Sequence, residues 1–396
     1  MTDGSTTNDY IREEIHTQVA ILGQLVERLR EGQGRFTFLE DQTFDEVWLV
    51  GSGDSHCAAL FGANLLNQLG VNARAFRPMD LSYFHDYHAQ NPLVVAISVS
   101  GKTNRVLEVV RKVRKHYKEP LVVGLTDNPH GPLFEEATHP VLVGASPSEL
   151  LLRSDYADEV AKEYTGYHHD VAQTKTFFAN LLAVVELTWE VVNRPRPVLA
   201  LLETIHQRYG EWVGQAENWV VANPINHPNK TMFVGSGLFY SLAQFGQYKW
   251  FEFTLPGHKQ DLEEYAHTHY FVTDPQTSVV FFAVEGAHLR RVEELVAGAL
   301  QHLIKPELLL LCARPPTIHS TPLVRELVSP SLPPDLYTAW REVGHYLYLL
   351  PVIEWLAYHT AKAVGCDTNK FRGGLDVERY VRGSYYTIRQ SKVDVD

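Results

Sequence analysis

Apolar positions in this chain follow two different spacings, and the alternation between them outlines the fold. From Tyr10 to Glu31 the residues Ile15, Val19, Leu22, Leu25, Val26 and Leu29 recur at intervals of three and four, which predicts an N-terminal helix with one apolar face. A turn-rich stretch, Glu31 to Asp45, follows. Short unbroken apolar runs then take over. Val47-Trp48-Leu49-Val50 reads as a buried parallel strand entering Gly51-Ser52-Gly53-Asp54-Ser55, and a small-residue helix runs from Cys57 to Leu69. Further strands are expected at Ala73 to Phe76, Leu93 to Ile97, Leu121 to Leu125 and Val141 to Val143, with helical patterns between several of them. Such alternation predicts a doubly wound α/β layer.

The pattern then changes. Glu149 to Thr176 is polar, Phe177 to Val192 is a long apolar helix, and Val198 to Val221 is another helix. After these, Thr231-Met232-Phe233-Val234 enters Gly235-Ser236-Gly237, repeating the layout of Leu49 to Gly53. Strands are expected again at Tyr270 to Val272, Ser278 to Val284 and Leu308 to Cys312. The chain therefore reads as two copies of one α/β unit, not a solenoid of short repeats. The divisions are an N-terminal helical segment (1–46), a first domain (47–195), a connecting helix (196–224), a second domain (225–365) and a C-terminal tail (366–396).

Composition narrows the function. The chain has 396 residues, 45% of them hydrophobic, enough for two or three domains. No apolar run reaches the ~20 residues of a membrane span. The N-terminus lacks a signal-peptide layout. The three cysteines, Cys57, Cys312 and Cys366, have neither metal-ligand nor disulfide spacing, so a cytoplasmic protein is expected. A net charge of -12 disfavours nucleic-acid backbones, and the 46 residues before the first strand hold one helix, not a basic helix-turn-helix.

The candidate chemistry starts at Ser98-Val99-Ser100-Gly101-Lys102-Thr103, between the strand at Leu93 to Ile97 and a helical stretch from Asn104. Free N–H groups of a first helical turn, small side chains and hydroxyls make a phosphate site. Ordinary capping explains one hydroxyl but not three with a glycine. Gly51-Ser52-Gly53 followed by His56 breaks the dinucleotide pattern, so no nicotinamide cofactor is expected. His168-His169-Asp170 has no third ligand at helical spacing, and no metal is expected.

These residues resemble the tandem sugar-isomerase (SIS) domain proteins. That family includes the isomerase half of glucosamine-6-phosphate synthase, archaeal glucosamine-6-phosphate deaminases and fructosamine-6-phosphate deglycases. The resemblance covers nearly the whole chain and implies two tandem SIS domains, each a doubly wound, mainly parallel sheet flanked by helices. It assigns Ser98, Ser100, Gly101 and Thr103 to the substrate phosphate, and Gly53, Asp54, Ser55, Val171 and Thr174 to the sugar; the last two lie in a stretch similar to the family's Ala-Ser-Thr-Lys-Ala-Phe. Lys249-Trp250-Phe251-Glu252 matches the family's Lys-x-x-Glu helix, whose glutamate moves protons at C1 and C2. Glu264-Tyr265-Ala266-His267 resembles the segment whose histidine opens the ring or acts as a base, supplied in the synthases by the neighbouring subunit. A homodimer with shared sites follows from that resemblance.

Three departures mark this chain. The usual His-Gly-Pro reads His267-Thr268-His269, Asp376 stands near the position of the synthase's C-terminal lysine, and no glutaminase domain is present, so glutamine-dependent synthesis is not expected. Ile353 to Tyr358 with Arg372-Gly373-Gly374-Leu375 is closer to the deglycases.

The residue types suit this chemistry. Shifting a proton between adjacent carbons needs one carboxylate and gains from a second acid or base; Glu252 and His267 fit these roles without a metal. Among Trp250, Phe251 and Phe253, Glu252 is expected to be buried, with its pKa raised. Lys249, one turn earlier, either pairs with that carboxylate or contacts substrate. The expected function is an enzyme acting on a ketosamine or aminosugar 6-phosphate by deglycation, deamination or isomerisation. The alternative is a sugar-phosphate-binding regulator without catalysis.

Overall fold

The computed structural model describes residues 9–145, 172–318, 321–334, 336–376, 379–380 and 388. Two five-stranded parallel sheets organise it. The first comprises β1 (Glu46–Gly51), β2 (Ala73–Phe76), β3 (Pro92–Ile97), β4 (Leu121–Thr126) and β5 (His139–Leu142), in the order β2-β1-β3-β4-β5. The second comprises β6 (Thr231–Val234), β7 (Gly257–Gln260), β8 (Ser278–Ala283), β9 (Glu307–Cys312) and β10 (Val324–Val328), in the order β10-β9-β8-β6-β7. Read from the other edge, the second order is the same as the first: second strand, first, third, fourth, fifth. The α/β class and the doubling expected from the sequence are both present.

Strand periodicity explains the layering. In β1, Trp48 and Val50 face one side and pack with Val106, Val109 and Val110 of α4 (Asn104–His116). Val47 and Leu49 face the other side and join a core shared with the second sheet. There Phe233, Val280 and Leu309 point into the same shared core, while Met232, Val279 and Leu308 pack outward on Leu289 and Val292 of α10 (Gly286–Leu295). Between the sheets lies a layer of helices: α1 (Tyr10–Arg30), α2 (Asp54–Gln68), α6 (Lys175–Val191), α7 (Arg196–Ala222), α8 (Leu238–Glu252) and α11 (Thr338–Ala363). Shorter helices, α3 (Pro78–Tyr83), α5 (Pro132–Glu136) and α9 (Leu262–His267), follow β2, β4 and β7. Among the described residues no helix is long and apolar enough to cross a membrane.

The two copies share a set of residues around their first helix. Val50-Gly51-Ser52-Gly53 recurs as Val234-Gly235-Ser236-Gly237, and Phe61-Gly62 as Phe245-Gly246, all at an offset of 184 residues. Gly53 has φ 58 and ψ -130, Gly237 φ 59 and ψ -129. Only glycine holds that conformation without strain, and it lets each strand turn at once into its helix. Gly62 and Gly246 seat the helices on the sheets: a Cβ at Gly62 would lie 2.7 Å from Leu49 and 2.5 Å from Val184, and one at Gly246 2.9 Å from Phe233.

The segment Tyr270 to Val272 is not the expected strand. It is part of a 3-10 turn, His269–Val272, with Phe271 and Val272 exposed and no strand beside it. Apolar content made it read as β, but a strand needs a ladder partner. Conversely, β7 has no apolar side chain and β10 is split by Arg325-Glu326, so neither shows as an apolar run; they are edge strands with half-buried polar positions. β5 begins two residues earlier than expected, at His139.

Because Gly62 touches both the sheet and α6, Gly62→Ala is expected to lower stability by about 1–3 kcal/mol through overpacking, although alanine is the better helix former. A denaturant midpoint that rises in this variant contradicts the packing account.

Candidate functional site

In a sheet of this order the chain reverses direction between its first and third strands, and the crevice beyond their carboxyl ends is where ligands bind. Gly51 of β1 is in register with Ile97 of β3, so the loops 51–55 and 98–103 open side by side. The second loop turns its carbonyls into the protein. Thr126 Oγ1 and the Asp127 N–H donate to the Val99 carbonyl at 3.0 and 2.9 Å, Asn128 Nδ2 donates to that of Ser100 at 3.0 Å, and the Leu133 N–H donates to that of Gly101 at 3.1 Å. Gly101 has φ 64, and a Cβ there would lie 2.9 Å from Thr126 Oγ1. Thr103 is the N-cap of α4, yet its side chain makes no capping bond; Thr103 Oγ1 lies 2.8 Å from Ser98 Oγ. With these three carbonyls bonded from within the protein, the loop sets a glycine turn and hydroxyls before a helix N-terminus, an arrangement that suits a phosphate dianion.

The charged part of the site joins the two sheets. On α8, Leu242, Phe245, Lys249 and Glu252 share one face at helical spacing. Phe245 stacks on Phe177 of α6, ring centroids 4.2 Å apart, and Trp250 Nε1 donates to the Pro228 carbonyl at 3.1 Å, which anchors the end of the helix. Lys249 is 2% exposed, and its Nζ donates to Asp54 Oδ2 at 2.9 Å, to Glu252 Oε1 at 2.9 Å and to the Gln173 carbonyl at 2.8 Å. Burial works against its charge, but Asp54 and Glu252 outweigh that and hold its pKa above the ordinary lysine value. The expected apolar setting of Glu252 is thus corrected. Its carboxylate is ion-paired and part-exposed, because Trp250 and Phe253 are buried on other faces and Phe251 points to solvent.

The other site residues named from sequence divide into three groups. Asp54 opens α2 and Gly53 caps it, with Ser55 beside them, half-buried. Thr174 is buried as the N-cap of α6, one residue past the carbonyl that holds Lys249. Val171 and the His168-His169-Asp170 run lie outside the described residues. His267 is not brought to Glu252 within the chain: it ends α9 with an exposed side chain, its Nε2 3.9 Å from Glu263. His269 is held by Gln260, Nε2 to Nδ1 at 2.8 Å.

Two contributors went unnoticed in the sequence. Glu14 of α1 is fully buried and accepts the backbone N–H groups of Thr174 at 2.8 Å and Lys175 at 3.3 Å, capping α6 from another helix. Gln18, one turn on, donates to both carboxylate oxygens of the buried Glu354 at 2.8 Å. Burial pushes both carboxyls upward in pKa. Their signal was present: Glu14 and Gln18 interrupt the apolar face that runs through Ile11, Ile15, Leu22 and Leu25.

Neither copy holds all of this equipment. At the 184-residue offset, Leu238 stands for Asp54, Leu65 for Lys249 and Gln68 for Glu252. After β8 the hydroxyl loop is replaced by Val284-Glu285, and the Glu285 carboxylate is taken by Arg341, with Oε1 2.6 Å from Nη2. With no run of hydroxyls there, the crevice of the first sheet is the one that suits a phosphate.

Residues 45–155 match the family model for the SIS domain. The likeness to an SIS domain thus falls on the first sheet of the chain. Its repeated sheet order agrees with two such domains in tandem. Over 339 residues it is 22% identical to the glutamine–fructose-6-phosphate aminotransferase (isomerizing) of Sulfurisphaera tokodaii; the match covers 84% of this chain and 50% of that protein. The chain thus spans about half the length of that curated relative. In structure it is similar to a tagatose-6-phosphate ketose/aldose isomerase from Escherichia coli, with TM-score 0.68, 16% identity and coverage of 95% of this chain and 98% of the other. It is also similar to a glucosamine-6-phosphate deaminase from Thermotoga maritima, with TM-score 0.66, 15% identity and coverage of 92% and 97%. These two likenesses show a shared fold across nearly the whole chain.

Two outcomes follow for this protein. Glu14→Ala leaves two buried N–H groups at the start of α6 without their acceptor, and is expected to lower unfolding free energy by about 1–3 kcal/mol in denaturant titration. His56, on α2 beside Gln244 (Nε2 to Nδ1 3.0 Å), has its pKa lowered to about 4 by burial, with Arg77 and Lys259 adding to the shift and Asp80 opposing it. The folded state holds it neutral, so its contribution to stability is complete above the ordinary histidine pKa of ~6.5 and is lost as pH falls toward about 4. His56→Gln is expected to remove roughly 2 kcal/mol of the stability loss between pH 7 and pH 4.5; equal slopes in the two proteins would exclude this assignment.

Proposed function

We propose that this protein is an enzyme acting on a ketosamine or aminosugar 6-phosphate. The observation that carries the proposal is the buried Lys249 ammonium, which ties Asp54, at the mouth of the first sheet, to Glu252 from the second copy. This sets a carboxylate that can exchange protons beside a crevice whose adjacent loop suits a phosphate. The named activities of the similar proteins, an isomerizing aminotransferase, a ketose/aldose isomerase and a deaminase, all concern hexose 6-phosphates, and they support the same reading.

The phosphate, held by Ser98, Ser100, Thr103 and the N–H groups near Gly101, fixes the sugar by binding energy remote from the reacting carbons. Glu252 takes the proton from one of the carbons C1 and C2 and returns it to the other. For a ketosamine, removal of the C1 proton and protonation at C2 convert the ketone and amine into an imine at C1 and a hydroxyl at C2. Water then adds to the imine, and the C1–N bond breaks to give a hexose 6-phosphate and the free amine. Lys249, kept charged, holds the Glu252 carboxylate in place, and its positive charge favours developing negative charge on oxygen. His267 serves as the second acid or base from a neighbouring copy. Its exposed side chain and the exposed Phe271 and Val272 next to it favour that arrangement in a homodimer with shared sites.

The test is a panel of fructose 6-phosphate, glucosamine 6-phosphate and amino-acid ketosamine 6-phosphates, scored for isomer and for released amine. Glu252→Gln is expected to lower kcat by ~10²–10⁴-fold while retaining sugar-phosphate binding. Mixing Glu252→Gln with His267→Ala chains is expected to restore part of the activity. A protein stabilised by these sugars that leaves every one unchanged would instead be a sensor.

A further inference from the structure

Directly after β2 the chain places an arginine that the local fold does not ask for. Phe76, the last residue of β2, is in register with Val50 of β1, as Ile97 of β3 is with Gly51. Arg77 therefore stands at the carboxyl rim of the sheet on one side of the loop 51–55, and the hydroxyl loop 98–103 stands on the other side. Arg77 is the N-cap of α3, with extended backbone at φ -74 and ψ 148, and its side chain makes no capping bond. The second copy repeats this turn at the same 184-residue offset, with β7 for β2 and α9 for α3. There the residue is Asp261, whose carboxylate accepts the N–H groups of Glu263 and Glu264. A helix start favours such an acceptor, and arginine has none to offer.

The guanidinium is open to a ligand. Its ion-pair partner among the described residues is Asp80, with Nη1 3.6 Å from Oδ2, beyond hydrogen-bond distance, and its side chain is 62% exposed. A second cation stands nearby. Lys259 of β7, bonded to the Tyr240 hydroxyl and 3.9 Å from the centre of that ring, acts together with Arg77 on His56 in the first turn of α2. Asp80 opposes the two cations there, and Asp54, two residues before His56, is held by Lys249 at 2.9 Å.

Along the rim the order is Arg77 beyond β2, Asp54 with Lys249 and Glu252 beyond β1, and the hydroxyls beyond β3. Adjacent strands lie ~4.8 Å apart, so the outer two positions are separated by roughly 10 Å, with the proton-exchanging carboxylate between them. We propose that Arg77 is a specificity-determining residue that binds a carboxylate on the amine substituent of the substrate, selecting sugar phosphates joined to an amino acid over those carrying a simple amine. This rests on the sugar-phosphate reading above and names the group that leaves. An amino-acid ketosamine 6-phosphate carries its phosphate and its carboxylate at opposite ends, with C1 and C2 between them. Arg77 presents paired N–H groups that match a carboxylate, and Lys259 adds positive potential at the same end.

The experiment uses two analogues without a C2 carbonyl, made by reductive amination of glucose 6-phosphate with glycine or with methylamine. They differ by the carboxylate alone. Calorimetry measures both on the native protein, on Arg77→Gln and on Arg114→Gln, a control in the last turn of α4. The native protein is expected to bind the glycine compound roughly 5- to 20-fold more tightly, the worth of a charge-assisted bond part-open to water. Arg77→Gln is expected to bring the two within about twofold and to leave the methylamine compound unchanged. Arg114→Gln is expected to keep the native ratio. A ratio preserved in Arg77→Gln overturns the assignment, as does a ratio that falls equally in Arg114→Gln. Equal binding by the native protein, or a preference for the methylamine compound, overturns it without any variant. Binding of inorganic phosphate but of neither compound overturns it too, whereas binding of none of the three fails the sugar-phosphate reading itself. Arg77→Asp, which installs the capping residue of the second copy, is expected to disfavour the glycine compound and carries the decision should Arg77→Gln not fold.

Discussion

A lysine ammonium without water is the constraint around which this molecule is arranged. Lys249 sits in the helical layer between two sheets, and an unpaired charge there costs several kcal/mol. Three acceptors from three parts of the chain meet it: Asp54 from the start of α2, the Gln173 carbonyl just before α6, and Glu252 one turn along α8. Removing any one changes the field felt by the other two. The packing around them is dry and aromatic, with Phe177 on Phe245 under the lysine stem, so water cannot replace a lost partner cheaply.

From this follows the way the two halves divide their labour. They share a sheet order, a Val-Gly-Ser-Gly turn with nearly identical backbone angles, and a glycine that lets the first helix lie on its sheet. Only the first half keeps hydroxyls after its third strand, and only the second keeps Lys249 and Glu252 at the end of its first helix. Helices α2 and α8 pack against each other, so the start of one meets the end of the other. A single complete site arises where the first half's start meets the second half's end. At the opposite junction Gln68 lies near the Gly237 turn, with Glu285 neutralised by Arg341.

Helix α1, outside the matched family region, belongs to the site's support. Glu14 holds the first turn of α6, and that turn delivers the carbonyl that Lys249 uses. Gln18 ties Glu354 of α11 into the same buried polar layer, with Tyr209 donating to Gln18 at 3.1 Å. Such layers are costly when incompletely bonded and rigid when complete, which suits a base that must hold its aim.

Most strands, the long helices and the two glycine turns could be read along the chain. Each is encoded by neighbours a few residues apart, through apolar spacing or the need for a positive φ. The hydroxyl loop was legible as a local pattern too, and the Lys-x-x-Glu turn through its resemblance to a family helix. The partners of a buried charge were not. Asp54 lies 195 residues before Lys249 and Glu14 lies 160 before Thr174, and no local spacing links them. The segment around Tyr270 failed oppositely, since apolar residues alone do not supply a neighbouring strand. The sequence by itself determined the repeated α/β unit and its phosphate-suited loop, because those depend on local geometry. Only the tertiary structure decided that Asp54 and Glu252 share one lysine and that one junction of the two halves gathers two carboxylates on a buried ammonium while the other holds a Glu285–Arg341 pair. Burial makes such pairing obligatory, and burial is a property of the whole folded chain.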